Sequence, residues 1–165
     1  MAAAAGAASS GAAAAFAVRD LRAYLRGAWR CERALKDAGV AARFSGVARF
    51  SEGAVEGGGG AALPPLAYRE EGTLTLEAGG ASPATRAYEY TFPRSAAAAE
   101  VLFDDGRHFH PLDLTQGAWS ATHLCGDDVY EGEWVAVGRD EWTMTWRVKG
   151  PRKDQVLRTT FFRGG

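Results

Sequence analysis

The chain has 165 residues, a length that domain-size statistics assign to one domain with its own core. Nineteen Lys and Arg against twenty Asp and Glu leave a formal net charge of −1, so the basic footprint of a nucleic-acid-binding protein is missing. No apolar run reaches the roughly 18 residues of a membrane-spanning helix, and neither nucleic acid nor membrane is expected as a partner.

Residues 1–18 are almost all Ala, Gly and Ser, and the first charge is Arg19. A secretory signal would open with a basic region, and this segment has none. An organellar leader would carry more arginine, though that option stays open. The expectation is a disordered low-complexity tail over 1–18 and a single folded domain over 19–165. Cys31 and Cys125 are too few for a disulfide framework, so a reducing, cytoplasmic compartment is the default. Their spacing is compatible with one bridge.

Asp20 is a candidate N-cap, and Leu21, Tyr24, Leu25 and Ala28 follow at helical spacing. This predicts a short amphipathic helix ending at Gly27 or Ala28. With barely two turns it reads as a plug. Strand readings then follow one another. Trp29–Leu35 comes first. Ala42–Glu52 sets Phe44, Gly46, Ala48 and Phe50 on one face. The span 54–65, with four consecutive glycines and two prolines, predicts a mobile loop. Leu66–Glu77 places Tyr68, Glu70, Gly72 and Leu74 together, and Thr85–Phe92 places Tyr88, Tyr90 and Phe92 together. Ala99–Phe103 leads into a hairpin region. Trp142, Met144, Trp146 and Val148 share a face of a late strand that ends at Gly150-Pro151, and Gln155–Arg163 is the last.

The hairpin region, Phe103–Trp134, holds all three histidines of the chain and one of its two cysteines. Asp105-Gly106, Gln116-Gly117 and Gly126-Asp127 are turn signals between alternating runs. Read as two-residue loops, they set Phe103 opposite His108, His110 opposite His123, His108 opposite Cys125, and His123 opposite Tyr130. His108, His110, Trp119, His123 and Cys125 then share one inward face. A longer loop at any turn would slip the register and flip the side chains beyond it.

About ten short strands in hairpin order, with one early helix, predict an all-β, antiparallel up-and-down barrel. Such a barrel removes sheet edges and can enclose one small ligand. Its predicted inner face is not purely apolar. It carries Arg33, Glu70, His108, His110, His123 and Cys125, with the hydroxyls of Tyr68, Tyr88, Tyr90 and Tyr130. Buried charges are costly unless paired, so a polar-lined cavity is expected. Arg33 and the tyrosines suit an anionic group; Trp119, Trp134 and Trp146 suit an apolar body. The leading reading is a small-molecule-binding barrel with no cofactor, in which Arg33 paired to Glu70 is the plain structural alternative. A second reading is an acid–base enzyme of the isomerase, cyclase or hydratase kind, with His110, His123, Tyr130 and Glu70 as catalytic candidates. A third is haem or metal binding through His108, His110, His123 and Cys125. Four residues on one flat patch do not easily surround an ion, and no C-x-x-C or H-E-x-x-H pattern supports them. Oligomeric state is not readable.

Gly27-Ala28-Trp29 resembles the G-x-W signature at the first strand of lipocalins and related calycin barrels. That resemblance implies a tryptophan at the barrel floor with a late basic residue, Arg163 or Arg158, packed over it. The segments FSGVARF, LAYREEGTL, YEYTF, DDGRHFHPLDL, HLCGDDVYEG, WTMTWRVKGPRKD and TTFFR resemble an uncharacterised domain-of-unknown-function family with a lipocalin-like barrel. The likeness runs over roughly residues 20–163 and implies a fold without implying a reaction.

Overall fold

Period-two alternation carries most of the chain, and it builds one ten-stranded antiparallel sheet. A computed structural model describes residues 15–54 and 63–163. Helix α1 spans Leu21–Leu25. The strands are β1 (Gly27–Asp37), β2 (Val40–Glu52), β3 (Leu63–Leu76), β4 (Ala81–Ser95), β5 (Ala98–Phe103), β6 (His108–Asp113), β7 (Ala118–Cys125), β8 (Asp128–Gly138), β9 (Glu141–Gly150) and β10 (Lys153–Phe162). Each strand pairs with the next except β6 with β7, and β1 also pairs with β10. The sheet thus curls into a nearly closed up-and-down barrel, with β6 and β7 side by side at its seam. The predicted mobile loop falls partly on residues 55–62, outside the described residues. Its last three residues already belong to β3. Pro64 and Pro65 cannot donate ladder bonds, and the register shifts between Leu63 and Leu66.

The connectivity gives the barrel two unlike ends. The hairpins β1–β2, β3–β4, β5–β6, β7–β8 and β9–β10 turn at one end, and α1 closes the other. Asp20 caps α1 by accepting from Ala23 N at 2.8 Å, and Leu21 and Leu25 are fully buried. The helix stops at Leu25, short of the expected Gly27. Gly27 has φ +107°, a backbone state that ends the helix and starts β1. Arg22 N donates to Ala96 O, and the Tyr24 hydroxyl to Gly138 O at 2.8 Å, so the helix is tied to two turns of that end. Beneath it Trp29 donates to Leu25 O at 2.7 Å, and the Arg163 guanidinium carbon lies 3.7 Å from the Trp29 ring centroid. Arg163 is therefore the cation over the floor tryptophan; Arg158 points outward and is exposed. Trp142 stacks on Phe161 at 3.8 Å, and Phe50 and Phe92 complete a dry aromatic layer.

Two expected registers fail at β6. The β5–β6 connection is not a two-residue loop: Phe103 N bonds Arg107 O, which leaves Asp104–Gly106 between them. The extra residue puts Leu102, not Phe103, opposite His108, and His108 turns outward. A bulge at Phe109 then sets Val101 opposite His110, so Phe109 and His110 are both buried. At Gln116-Gly117 no ladder forms. Gly117 N instead bonds back to Leu114 O, while Val18 N also donates to Leu114 O and Phe16 N to Ala136 O. His110 and His123 are therefore not cross-strand partners. The third turn is as expected, with Cys125 opposite Asp128 and His123 opposite Tyr130. Residues 1–14 of the Ala-rich segment lie outside the described residues.

Candidate functional site

Inward alternation on β1, β3, β4 and β10 brings a polar cluster together in mid-barrel. Arg33 (β1) and Glu70 (β3) form a bidentate ion pair, Nη1 to Oε1 at 2.7 Å and Nη2 to Oε2 at 2.8 Å. Arg33 Nε donates to Thr159 Oγ1 at 2.8 Å, and the Tyr68 hydroxyl to Glu70 Oε2 at 2.6 Å. Arg33, Tyr68, Glu70 and Thr159 are all buried. The void among these groups and Tyr90 is only about 10 Å³, room for at most one water. On the other side of the pair a hollow of about 120 Å³ is lined by Arg33, Glu70 and Arg86 with Phe44 and Leu157, so the space at Arg33 is small. The pair fills the middle of the barrel because its own hydrogen bonds satisfy it. The third charged residue, Arg86 on β4, stands opposite Glu70 with Nε 3.7 Å from Oε1. Its side chain is 36 % exposed against 5 % for Arg33, so it faces the open end.

Above this cluster a cavity of about 650 Å³ opens at the hairpin end of the barrel, a size suited to a drug-sized ligand. Arg86 and Tyr88 of β4 form part of its lining. Phe103, Phe109 and Trp146 make an aromatic wall: Phe103 stacks on Phe109 at 4.4 Å and Phe109 on Trp146 at 5.1 Å. His123 stands perpendicular to Phe109 at 5.1 Å, with Tyr130 beyond it at 5.9 Å. Tyr130 Oη accepts from Lys153 Nζ at 2.9 Å. His108 and Cys125 reach the cavity only at its rim, where both are exposed, and His108 pairs with Glu100 at 2.7 Å.

The expected site residues therefore separate into three places. Tyr88, His123, Tyr130 and Trp146, with His108 and Cys125 at the rim, line the mouth. Arg33, Tyr68, Glu70 and Tyr90 belong to the packed interior. His110 and Trp134 are buried against each other in the wall at 4.5 Å, and half-buried Trp119 ties the seam by donating to Pro111 O. Arg86, Phe103 and Phe109 were missed. Arg86 was legible, because the alternation that picks out Tyr88, Tyr90 and Phe92 continues one step back to it. Phe109 was not, because a bulge leaves no trace in the period.

The chemistry open to these groups follows from their surroundings. Burial alone would raise the Glu70 carboxyl, but the hydrogen bonds and charge of Arg33, with Arg86 and Tyr68 behind them, hold it below its ordinary value. It stays ionised and fully bonded, a poor proton carrier. Burial pushes the phenols of Tyr68, Tyr88 and Tyr90 up, so they remain neutral hydrogen-bonding groups. Burial also pushes the Cys31 thiol up to about 12, against the pull of Arg33, and that thiol is unreactive. Cys31 and Cys125 are free, one inside the barrel and one at the rim, which rules out the bridge that their spacing allowed. Among the described residues no three His, Cys, Asp or Glu side chains converge as a metal-ligand set. The register slip turns His108 away from His110, and Cys125 sits at the rim.

No helix among the described residues is long and apolar enough to cross a membrane. A comparison with curated proteins finds no match. Among solved structures, the chain is similar to the S-type phycobiliprotein lyase CPES from Guillardia theta. The TM-score is 0.66 at 9 % identity, over 91 % of this chain and 94 % of that one. A redesigned β-barrel, mFAP1, bound to DFHBI, aligns with TM-score 0.42 and 14 % identity, over 87 % of this chain and 99 % of that one. At 9 % identity the likeness to the lyase is one of fold. A family model matches residues 25–163, so the chain belongs to the family of unknown function DUF6314.

Proposed function

We propose that this protein binds a small, partly apolar ligand with an anionic group in the mouth cavity of its barrel. One observation carries the reading: Arg86 is an inward-facing, solvent-reachable cation beside an aromatic wall, and the carboxylate it approaches is already neutralised by Arg33. A guanidinium in that position holds an oxyanion by charge-assisted hydrogen bonds. The wall of Phe103, Phe109 and Trp146 takes the apolar part. The partner is a small molecule, and neither nucleic acid nor membrane enters the reading. Two free thiols suit a reducing, cytoplasmic setting. Acid–base catalysis gains no support from Glu70, which is held ionised, or from the buried phenols, which are held neutral.

The rim thiol supplies a local test. Under native conditions iodoacetamide is expected to label Cys125 and spare buried Cys31. The anionic fluorophore 8-anilinonaphthalene-1-sulfonate is expected to slow that labelling as it binds. Arg86→Gln is expected to weaken the fluorophore by about tenfold or more, the usual value of a hydrogen bond to a charged group. Binding that leaves the Cys125 rate unchanged and is indifferent to Arg86→Gln would place the site elsewhere and end this reading.

A further inference from the structure

Charge around the mouth limits what the cavity can take, an argument that rests on the reading just given. Arg86, Arg107 and His108 line it, and Lys153, paired with Asp128 at 2.7 Å, reaches its Tyr130. Arg107 is paired with Asp105 at 2.7 Å and His108 with Glu100 at 2.7 Å. Arg86 shares Glu70 with Arg33, and Arg33 holds both oxygens of that carboxylate. The group Arg33–Glu70–Arg86 therefore keeps one net positive charge, and it sits at Arg86. One uncompensated guanidinium answers one negative charge. A second negative charge on the ligand would meet the Glu70 carboxylate with no cation left to offset it. The planar fork of the guanidinium meets the two oxygens of a carboxylate in a bidentate pair.

The wall limits the rest of the ligand. Phe103 and Phe109 are inclined by 25° and Phe109 and Trp146 by 10°, so three rings share nearly one orientation. Tyr88, the next inward residue of β4 after Arg86, is 5.5 Å from Phe109 and inclined by 32° to it. A flat body adopting the common orientation extends that stack face to face. A flexible chain covering the same area loses roughly 0.5–1.5 kcal/mol for each rotor it freezes.

We infer that the ligand class is a planar aromatic monocarboxylate, with its carboxylate on Arg86 and its ring against the Phe103–Phe109–Trp146 wall. The test is titration calorimetry with four probes: 2-naphthoate, 2-naphthol, 2-naphthyl phosphate and decanoate, on the wild type, Arg86→Gln and Arg86→Lys. The expected result is that 2-naphthoate binds at least about tenfold tighter than each of the other three. Its advantage over 2-naphthol should vanish in Arg86→Gln and fall partway in Arg86→Lys, which keeps the charge and loses the fork. Decanoate binding as tightly as 2-naphthoate, with the same sensitivity to Arg86, overturns the aromatic class while the mouth site stands. The phosphate binding as tightly overturns the single-charge argument. If no probe binds or protects Cys125 from iodoacetamide, the mouth-site reading fails along with the ligand class.

Discussion

Glu70 accepts from Arg33 twice and from Tyr68 once, and all three residues are buried. Removing one partner of such a pair leaves a buried charge without compensation, whereas replacing both with apolar groups is often neutral. Glu70→Gln is expected to cost about 3–5 kcal/mol, and the double change Arg33→Met, Glu70→Leu about 1 kcal/mol or less. Urea unfolding of the two variants measures this, and similar midpoints would mean that the pair does not govern mid-barrel stability. His110 belongs to the same scale. Burial pushes it down from 6.5 to about 4, against the weaker opposing pull of the Pro111 carbonyl. The unfolded chain takes up a proton near pH 6.5 while the folded chain refuses it until about 4. Stability therefore falls as pH drops through that window, by on the order of 3 kcal/mol at most. Glu70 adds a loss of the same sign below its ordinary value of 4.5, because its folded carboxyl is held lower. His110→Phe should flatten the profile between pH 6.5 and 4 and leave the more acidic limb in place. An unchanged profile would mean that another group titrates.

Among the elements, the β2–β3 ladder carries the tightest constraint. Gly46 and Gly72 stand directly opposite each other on the inward face. A Cβ on Gly46 would run into Glu71 O and lie 2.8 Å from Gly72 Cα; one on Gly72 would lie 2.7 Å from Gly46 Cα and 2.8 Å from Phe44 Cζ. The obstacles are mostly backbone and cannot swing aside. Gly46→Ala and Gly72→Ala are each expected to cost more than about 2 kcal/mol, in the range of overpacked cores. Gly39, whose Cβ would meet nothing within 4 Å but whose φ is +90°, should lose less, since only backbone strain acts there. Thermal unfolding of the three alanine variants ranks them, and a Gly39→Ala loss equal to the other two would show that strain, not crowding, dominates. Both glycines were readable as members of an inward face. The reason for them was not, since close approach of two strands is a property of the pair.

For the whole molecule, closure is uneven. Eight strands are hydrogen-bonded on both sides, while β6 and β7 each have one free edge at the seam. Trp119 donating to Pro111 O, and Phe16 and Val18 bonding Ala136 O and Leu114 O, hold that region with few bonds. Native-state hydrogen exchange should find β6 and β7 opening at lower free energy than β1, β2, β3 and β10. Equal protection throughout would mean that the seam does not act as a separate unit. The seam lies next to the mouth, because β6 supplies Phe109 and β7 supplies His123, so the least constrained strands are the ones that carry the wall of the candidate site.

Strand count, hairpin order, the plug helix and the inward faces of β1 to β4 could be read from one dimension, because side-chain alternation and helix capping are local effects that act within a few residues. The pairing of Arg33 with Glu70 stood there as an alternative and became a fact once β1 and β3 curled around a common interior. The mouth was less legible. A one-residue difference in the β5–β6 loop and a bulge at Phe109 decided that His108 points out and Phe109 points in. The absence of a β6–β7 ladder parted His110 from His123. Those outcomes depend on closing the cylinder, where the register of every strand must fit all the others at once, and local pattern holds no record of that condition.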